Sequence, residues 1–183
     1  PLIVFTPKST LRHPNNVSSI SEVTGRSSFH RLSEDEIKNP KRIIFCSGKI
    51  FYELYDFRTK NNIKDVKIVR IEQIYPFPFD AIGDVILKHK ESEILWVQEE
   101  PKNMGAWSFV KSRIRHVLVK NNLTKKVHYV GRRPAAAPAT GISKRHSTNQ
   151  QLIKELALKS SLKRVIKERS GVSFMKFKNL PKE

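Results

Sequence analysis

The strongest constraint on this chain is an alternation of apolar period. Short runs rich in Val, Ile, Phe and Tyr occur at Leu2 to Thr6, Arg42 to Ser47, Val66 to Ile74, Ile94 to Gln98 and Val127 to Val130. Each has the length and composition of a buried strand. Between them apolar residues return at helical spacing: Ile50, Phe51, Leu54 and Phe57, then Ile82, Val85 and Ile86, then Phe109, Ile114, Val117 and Leu118. These segments read as amphipathic helices. Strands alternating with helices of about a dozen residues make crossover units, so the expected fold is α/β: a mostly parallel sheet of about five strands with helices on both faces. A final helix is expected around Thr148 to Leu158. Residues 7–40, rich in Ser, Pro and Asn, read as a long excursion with at most a short helix. Gly131 to Gly141, with two prolines and four alanines, reads as an irregular connection.

At 183 residues and 38% hydrophobic, the chain can bury one ordinary core and carry a tail. The expected division is a folded domain over 1–158 and a basic helical extension or tail over 159–183, in part without fixed structure. No apolar run approaches the roughly 18 residues of a membrane span. The opening residues Pro1 to Phe5 include neither an initiating Met nor a basic leader, as expected of a segment cut from a longer polypeptide.

The formal charge of +18 points toward a polyanion. Its distribution argues against a dedicated nucleic-acid module. Lys and Arg are spread along the chain, and no zinc-ligand spacing, base-stacking strand signature or basic region with heptads accompanies them. The charge reads as a solvated, lysine-rich surface. A stand-alone anion- or nucleic-acid-binding module remains the alternative from a different functional class.

Few positions offer chemistry of their own. Cys46 lies in the apolar run Ile43 to Cys46, where burial would keep a thiol protonated and inert. The six histidines form no pair at metal-ligand spacing with an acidic or thiol partner, so no metal site is expected. Glu99 and Glu100 are adjacent in an extended segment and should point to opposite faces, a poor arrangement for two acids acting on one substrate. Trp107 and Phe109, just beyond the turn at Pro101 to Gly105, are candidates either for an apolar interface with another subunit or for the core.

Ser47-Gly48-Lys49 sits where a strand hands over to a helix, so it can present backbone amides and an ammonium to an anion. Thr6-Pro7-Lys8-Ser9, with Arg12 beyond it, and Gly131-Arg132-Arg133-Pro134 also follow expected strands. In a parallel sheet all three share the carboxyl edge with Gln98. Thr6, Lys8, Ser9, Arg12, Lys49, Gln98, Arg132 and Arg133 are therefore expected to converge on a pocket for a phosphate-bearing effector. Two plainer readings compete with that one: separately solvated loops, or Arg132 and Arg133 pairing with Glu99 or Glu100 to hold the turn.

Taken in order, PLIVFTPKSTLRHPNNVSS, FCSGKIFYEL, IVRIEQIYPFP, WVQEEPKNMGAW, YVGRRPAAAPATG and a closing helix containing QQLI resemble the C-terminal domain of the thiamine-diphosphate-dependent decarboxylating component of 2-oxoglutarate dehydrogenase. The related 2-oxoadipate dehydrogenase component shares most of these blocks, and another transketolase-like enzyme is the remaining option. The resemblance implies a transketolase C-terminal-like fold that braces a homodimer. It also implies a parent enzyme that decarboxylates a 2-oxo acid and transfers the acyl group to a lipoyl-bearing acyltransferase, in the bacterial cytoplasm or the mitochondrial matrix. Thiamine diphosphate and magnesium would be bound outside this segment. No catalytic residue is then expected here, Glu99 and Glu100 become part of a strand-end turn, and acetyl-CoA or AMP becomes the candidate effector.

Overall fold

The computed structural model describes residues 1–4, 6–168 and 171. One sheet contains β1 (Leu32–Glu34), β2 (Arg42–Cys46), β3 (Val66–Ile71), β4 (Glu93–Pro101) and β5 (Val127–Arg132). The five strands lie in the order β1-β3-β2-β4-β5, with β1 antiparallel to β3 and the others parallel. The helices are α1 (Ile20–Val23), α2 (Ile50–Lys60), α3 (Phe79–Lys88), α4 (Trp107–Lys120), α5 (Ser143–Leu158) and α6 (Leu162–Lys167). This is the mostly parallel, five-stranded α/β architecture expected of a transketolase C-terminal-like domain.

Strand alternation divides the core into two layers. Ile43, Phe45, Val69, Ile71, Ile94, Trp96 and Tyr129 face α3 and α4 and pack with Ile82, Val85, Ile86, Val110, Ile114 and Val117. Ile44, Cys46, Ile68, Leu95, Val97 and Val130 face the other way, against Leu54 of α2, Ile153 and Leu156 of α5, and Val165 of α6. All of β2 is buried, as befits the central strand of a sheet covered on both sides.

Arg42 fastens α5 to the start of that central strand. Its guanidinium donates to Glu93 Oε2 at 2.8 and 2.5 Å and to the carbonyls of Ala157 and Ser160 at 2.7 and 2.9 Å. The carbonyls lie at and just beyond the carboxyl end of α5, where backbone acceptors have no helical partner.

The first apolar run corrects the sequence reading. Leu2, Ile3 and Val4 are exposed and belong to no strand, and Phe5 lies outside the described residues. The fifth strand is instead β1, inside the stretch read as an excursion. Asp35, directly after it, accepts from the Arg58 guanidinium and, at 2.7 Å, from Ile68 N–H. Lys67 Nζ donates to the Asp35 carbonyl at 2.5 Å and pairs with Glu34 at 3.1 Å. The outer edge of β3 is thus taken by a short polar strand held by ionic contacts, and among the described residues Leu2 to Val4 have no ladder partner. Thr6, Lys8, Ser9 and Arg12 therefore do not follow a strand. They lie at and beside a 3-10 turn at Lys8–Thr10.

Candidate functional site

The candidate site is the carboxyl end of β4, where successive side chains part to the two faces of the sheet. Glu99 follows Val97 toward α2 and α5. Its Oε2 accepts from Lys49 Nζ at 2.5 Å and from Gln150 Nε2 at 3.1 Å. Glu53, one helical turn beyond Lys49, accepts from the same two donors at 3.3 and 3.2 Å, and Lys154 lies 3.9 Å from it. Burial works against the Lys49 ammonium, but its hydrogen bonds and charge interactions with Glu99 and Glu53 prevail and raise its pKa above the ordinary lysine value. Two carboxylates are thereby committed to one ammonium and one amide.

The other face carries Gln98, which organises the turn after β4. Its Oε1 accepts from Trp96 Nε1 at 2.8 Å and from the Trp107 backbone N–H at 3.0 Å. Its Nε2 donates to the carbonyls of Pro101 and Met104 at 3.1 and 2.8 Å, with a longer contact to Glu100. The side chain is buried and its amide is fully engaged, so the first N–H of α4 is capped from β4. Gly105, at φ 65°, completes the turn, since a Cβ there would sit 3.0 Å from Gln98 Nε2 and 3.1 Å from Glu100 Oε2. Trp107 is buried in the core beside Tyr129, and Phe109 packs partly buried against the same cluster.

β5 joins the turn from the side. Tyr129 Oη donates to the Arg132 carbonyl at 2.8 Å, Lys102 N–H donates to the same oxygen at 3.1 Å, and Arg132 Nε donates to the Glu99 carbonyl at 2.6 Å. Asn103 and Ala135 exchange two hydrogen bonds at 3.0 Å. Burial, and then the Glu100 charge, push the Tyr129 phenol upward, so it stays a protonated donor. Arg132 therefore grips the backbone of Glu99, not its carboxylate. Beyond it opens a cleft of about 510 Å³, lined by Glu99, Glu100, Arg132, residues 138–143 and His146. It lies at the amino end of α5, whose first turn has no acidic residue.

The remaining candidates are placed as follows. Arg133 Nε donates to the Gly171 carbonyl at 3.4 Å. Ser47 Oγ donates to the Ile71 carbonyl at 3.0 Å. Thr6, Lys8, Ser9 and Arg12 are exposed, on a segment that docks against α2 through His13 and Asn15 to Asp56 and through Asn16 to Tyr52. Among the described residues no hydrogen bond or ion pair joins these four to Lys49, Gln98, Arg132 or Arg133. Cys46 is fully buried, and burial pushes its thiol far up.

Glu53, Gln150 and Lys154 complete the charged cluster but are not among the residues singled out from sequence. The four-residue step from Lys49 to Glu53 was the available signal for one of them. Gln150 has no comparable local signature. Among the described residues no three His, Cys, Asp or Glu side chains group as metal ligands, and no helix is long and apolar enough to cross a membrane.

Comparison with known proteins fits this geometry. Residues 17–170 match the family described as 2-oxoglutarate dehydrogenase C-terminal. A protein of Brucella anthropi named "2-oxoglutarate dehydrogenase E1 component" is 44% identical over 160 residues, and proteins of Brucella abortus and Brucella melitensis with the same name are 43% identical over the same length. Each alignment covers 80% of this chain and 16% of the relative, so the chain spans about a sixth of the length of these proteins. The match runs through both core layers and the whole strand-end turn. This chain belongs to the 2-oxoglutarate dehydrogenase C-terminal family.

Proposed function

We propose that this chain is the C-terminal brace of a 2-oxo acid dehydrogenase component that decarboxylates 2-oxoglutarate and passes the succinyl group to a lipoyl-bearing acyltransferase. The observation that carries the reading is the family match over residues 17–170, with relatives at 43–44% identity that bear the E1 component name. On this reading magnesium and thiamine diphosphate belong to the rest of the parent protein. When bound there, the cofactor supplies the carbanion chemistry of decarboxylation. The work left to this chain is positional. Glu99, Glu100, Trp107 and Phe109 shape the turn through which the domain would brace a homodimer, with 1–158 as the folded unit and 159–183 as an extension, of which α6 packs on the core through Val165 while residues 169, 170 and 172–183 lie outside the described residues. The parent enzyme is assigned to the bacterial cytoplasm or the mitochondrial matrix.

The same reading gives the carboxyl edge a regulatory role, with acetyl-CoA or AMP held by its phosphates. Supporting it are the Arg132 cleft at the amino end of α5, with Arg133 next to Arg132 in sequence and Lys49 paired to Glu99, one of the cleft's lining residues. The exposed Thr6, Lys8, Ser9 and Arg12 would complete the contacts when the effector is bound, and Gln98 would act through the turn it clamps. Lys49 can serve an effector only by leaving Glu99.

The test is turnover by the intact parent protein with thiamine diphosphate, magnesium and a lipoyl acceptor, comparing 2-oxoglutarate with 2-oxoadipate. Preferred succinyl transfer is expected, and a preference for 2-oxoadipate, or no turnover of either, would overturn the assignment. For the effector, acetyl-CoA and AMP are titrated into the wild type and Arg132→Ala. Losing one charged arginine contact should weaken binding by about tenfold or more. Unchanged binding by the variant, or none by the wild type below millimolar concentration, would remove the effector site.

A further inference from the structure

Between Glu100 and Glu155 the chain has no Asp or Glu, yet this stretch holds twelve Lys and Arg. It supplies α4, β5 and most of α5, so a large basic surface has no acid of its own. Part of that surface is a groove of about 450 Å³ between α4 and the start of β5. Its floor is apolar: Leu118 is buried, Leu123 half-buried and Val119 64% exposed. Its rim is Lys111, Arg115, Lys125 and Lys126. Lys111, Arg115 and Val119 recur every fourth residue and so form one stripe along α4.

None of these four cations forms an ion pair with a described carboxylate. Lys125 Nζ donates to the Ser92 carbonyl at 3.2 Å, and Lys111 lies 5.8 Å from the Trp107 ring. Some basic side chains elsewhere do carry a carboxylate partner, as Arg31 does with Asp80, Arg58 with Asp35 and Lys49 with Glu99, whereas here four cations share one apolar floor. The groove opens at the amino ends of the parallel strands, because Val127 starts β5. It is thus at the opposite edge of the sheet from the Arg132 cleft.

We propose that this groove docks an acidic amphipathic segment of a partner protein. Apolar side chains of the segment would cover Val119 and Leu123, and its carboxylates would meet Lys111, Arg115 and Lys126. A helix laid in a groove uses such a pairing of an apolar seam with a charged rim. Nucleic acid fits less well, since sequence-tolerant single-strand binding stacks bases on aromatic side chains and no aromatic residue lines the groove.

The test uses the intact protein and a fluorescent peptide of about 16 residues, with Leu at helical spacing and Glu elsewhere. Saturable micromolar binding is expected. The Lys111→Glu/Arg115→Glu double variant should weaken it by about tenfold or more, and Val119→Ser should weaken it at unchanged salt dependence. All three positions are exposed, so the melting temperature should stay within a few degrees of wild type. Absence of saturation below millimolar peptide would overturn the proposal. So would equal binding of a scrambled peptide, which means charge attraction alone, or tighter binding of single-stranded DNA, which means a nucleic-acid surface.

Discussion

Lys49 Nζ and Glu99 Oε2 meet at 2.5 Å at the carboxyl edge of the sheet, joining the residue that precedes α2 to the end of β4. Both side chains are about three-quarters buried, at 25% and 23% exposure, so solvent screens the pair only in part. Glu99→Gln removes the charge while keeping the shape. It should cost about 1–3 kcal/mol of stability, read as a lower urea midpoint at unchanged slope. An unaltered midpoint would show that Lys49 re-pairs fully with Glu53.

The edge strand depends on a deeper pair. Arg58 and Asp35 are each about 8% exposed, and Arg58 also donates to the Val66 carbonyl at 2.9 Å. Asp35→Ala would leave a buried guanidinium and the Ile68 N–H without their acceptor. The expected loss is about 3–5 kcal/mol. Hydrogen exchange should report faster opening of β1 and β3 than of β4, and equal exchange across the sheet would contradict the assignment of Asp35 as the strand's clamp.

Gly131 lets β4 and β5 approach each other. A Cβ at this position would stand 2.7 Å from the Gln98 carbonyl oxygen and closer still to the Tyr129 hydroxyl. Because one of those neighbours is backbone, no rotamer change relieves the contact. Gly131→Ala should destabilise by about 1–3 kcal/mol, with Tyr129→Phe in the same chain recovering part of it. A neutral Gly131→Ala would mean that the strand-end turn shifts freely.

Acidification should loosen the fold. Burial, followed by nearby lysines, holds the His89 pKa below the ordinary histidine value, and burial does the same to His128 against the opposing pull of Glu93. Both rings are favoured as the neutral form in the folded state, while the unfolded chain protonates near pH ~6.5. Their contribution is therefore complete above that value and is lost as pH falls through the lower folded pKa values. The melting temperature should drop between about pH 7 and 5, and His128→Gln should flatten the drop. An identical pH profile for the variant would exclude His128 as a cause.

Most of the sheet was legible because β2 to β5 are apolar runs with turn residues between them. Ile43 and Ile44 could be assigned to opposite faces from alternation alone. β1 was not, since Leu-Ser-Glu has one apolar residue and is held by Asp35, Arg58 and Lys67, contacts that bridge up to some thirty positions. The converse error has the same source: Leu2 to Val4 have strand composition but, among the described residues, no neighbour to pair with. At the site, the divergence of Glu99 and Glu100 was readable from the extended backbone. The partner of Glu99 on α5 was not, because Gln150 lies 51 residues away and has no local signature. Gln98 read as a candidate ligand contact because nothing in sequence reveals that its amide is consumed by Trp96, Trp107 and the turn.

We propose that Glu99 and Glu100 hold a structural turn and take no part in proton transfer. Its most direct test is kcat of the intact parent protein with 2-oxoglutarate for Glu99→Gln and Glu100→Gln, measured beside the melting temperature. Since losing a general acid or base costs about 100-fold or more, kcat should stay within about threefold of wild type, with a lowered melting temperature for Glu99→Gln. A loss of about 100-fold in kcat at unchanged melting temperature would contradict it and make one of the two carboxylates catalytic.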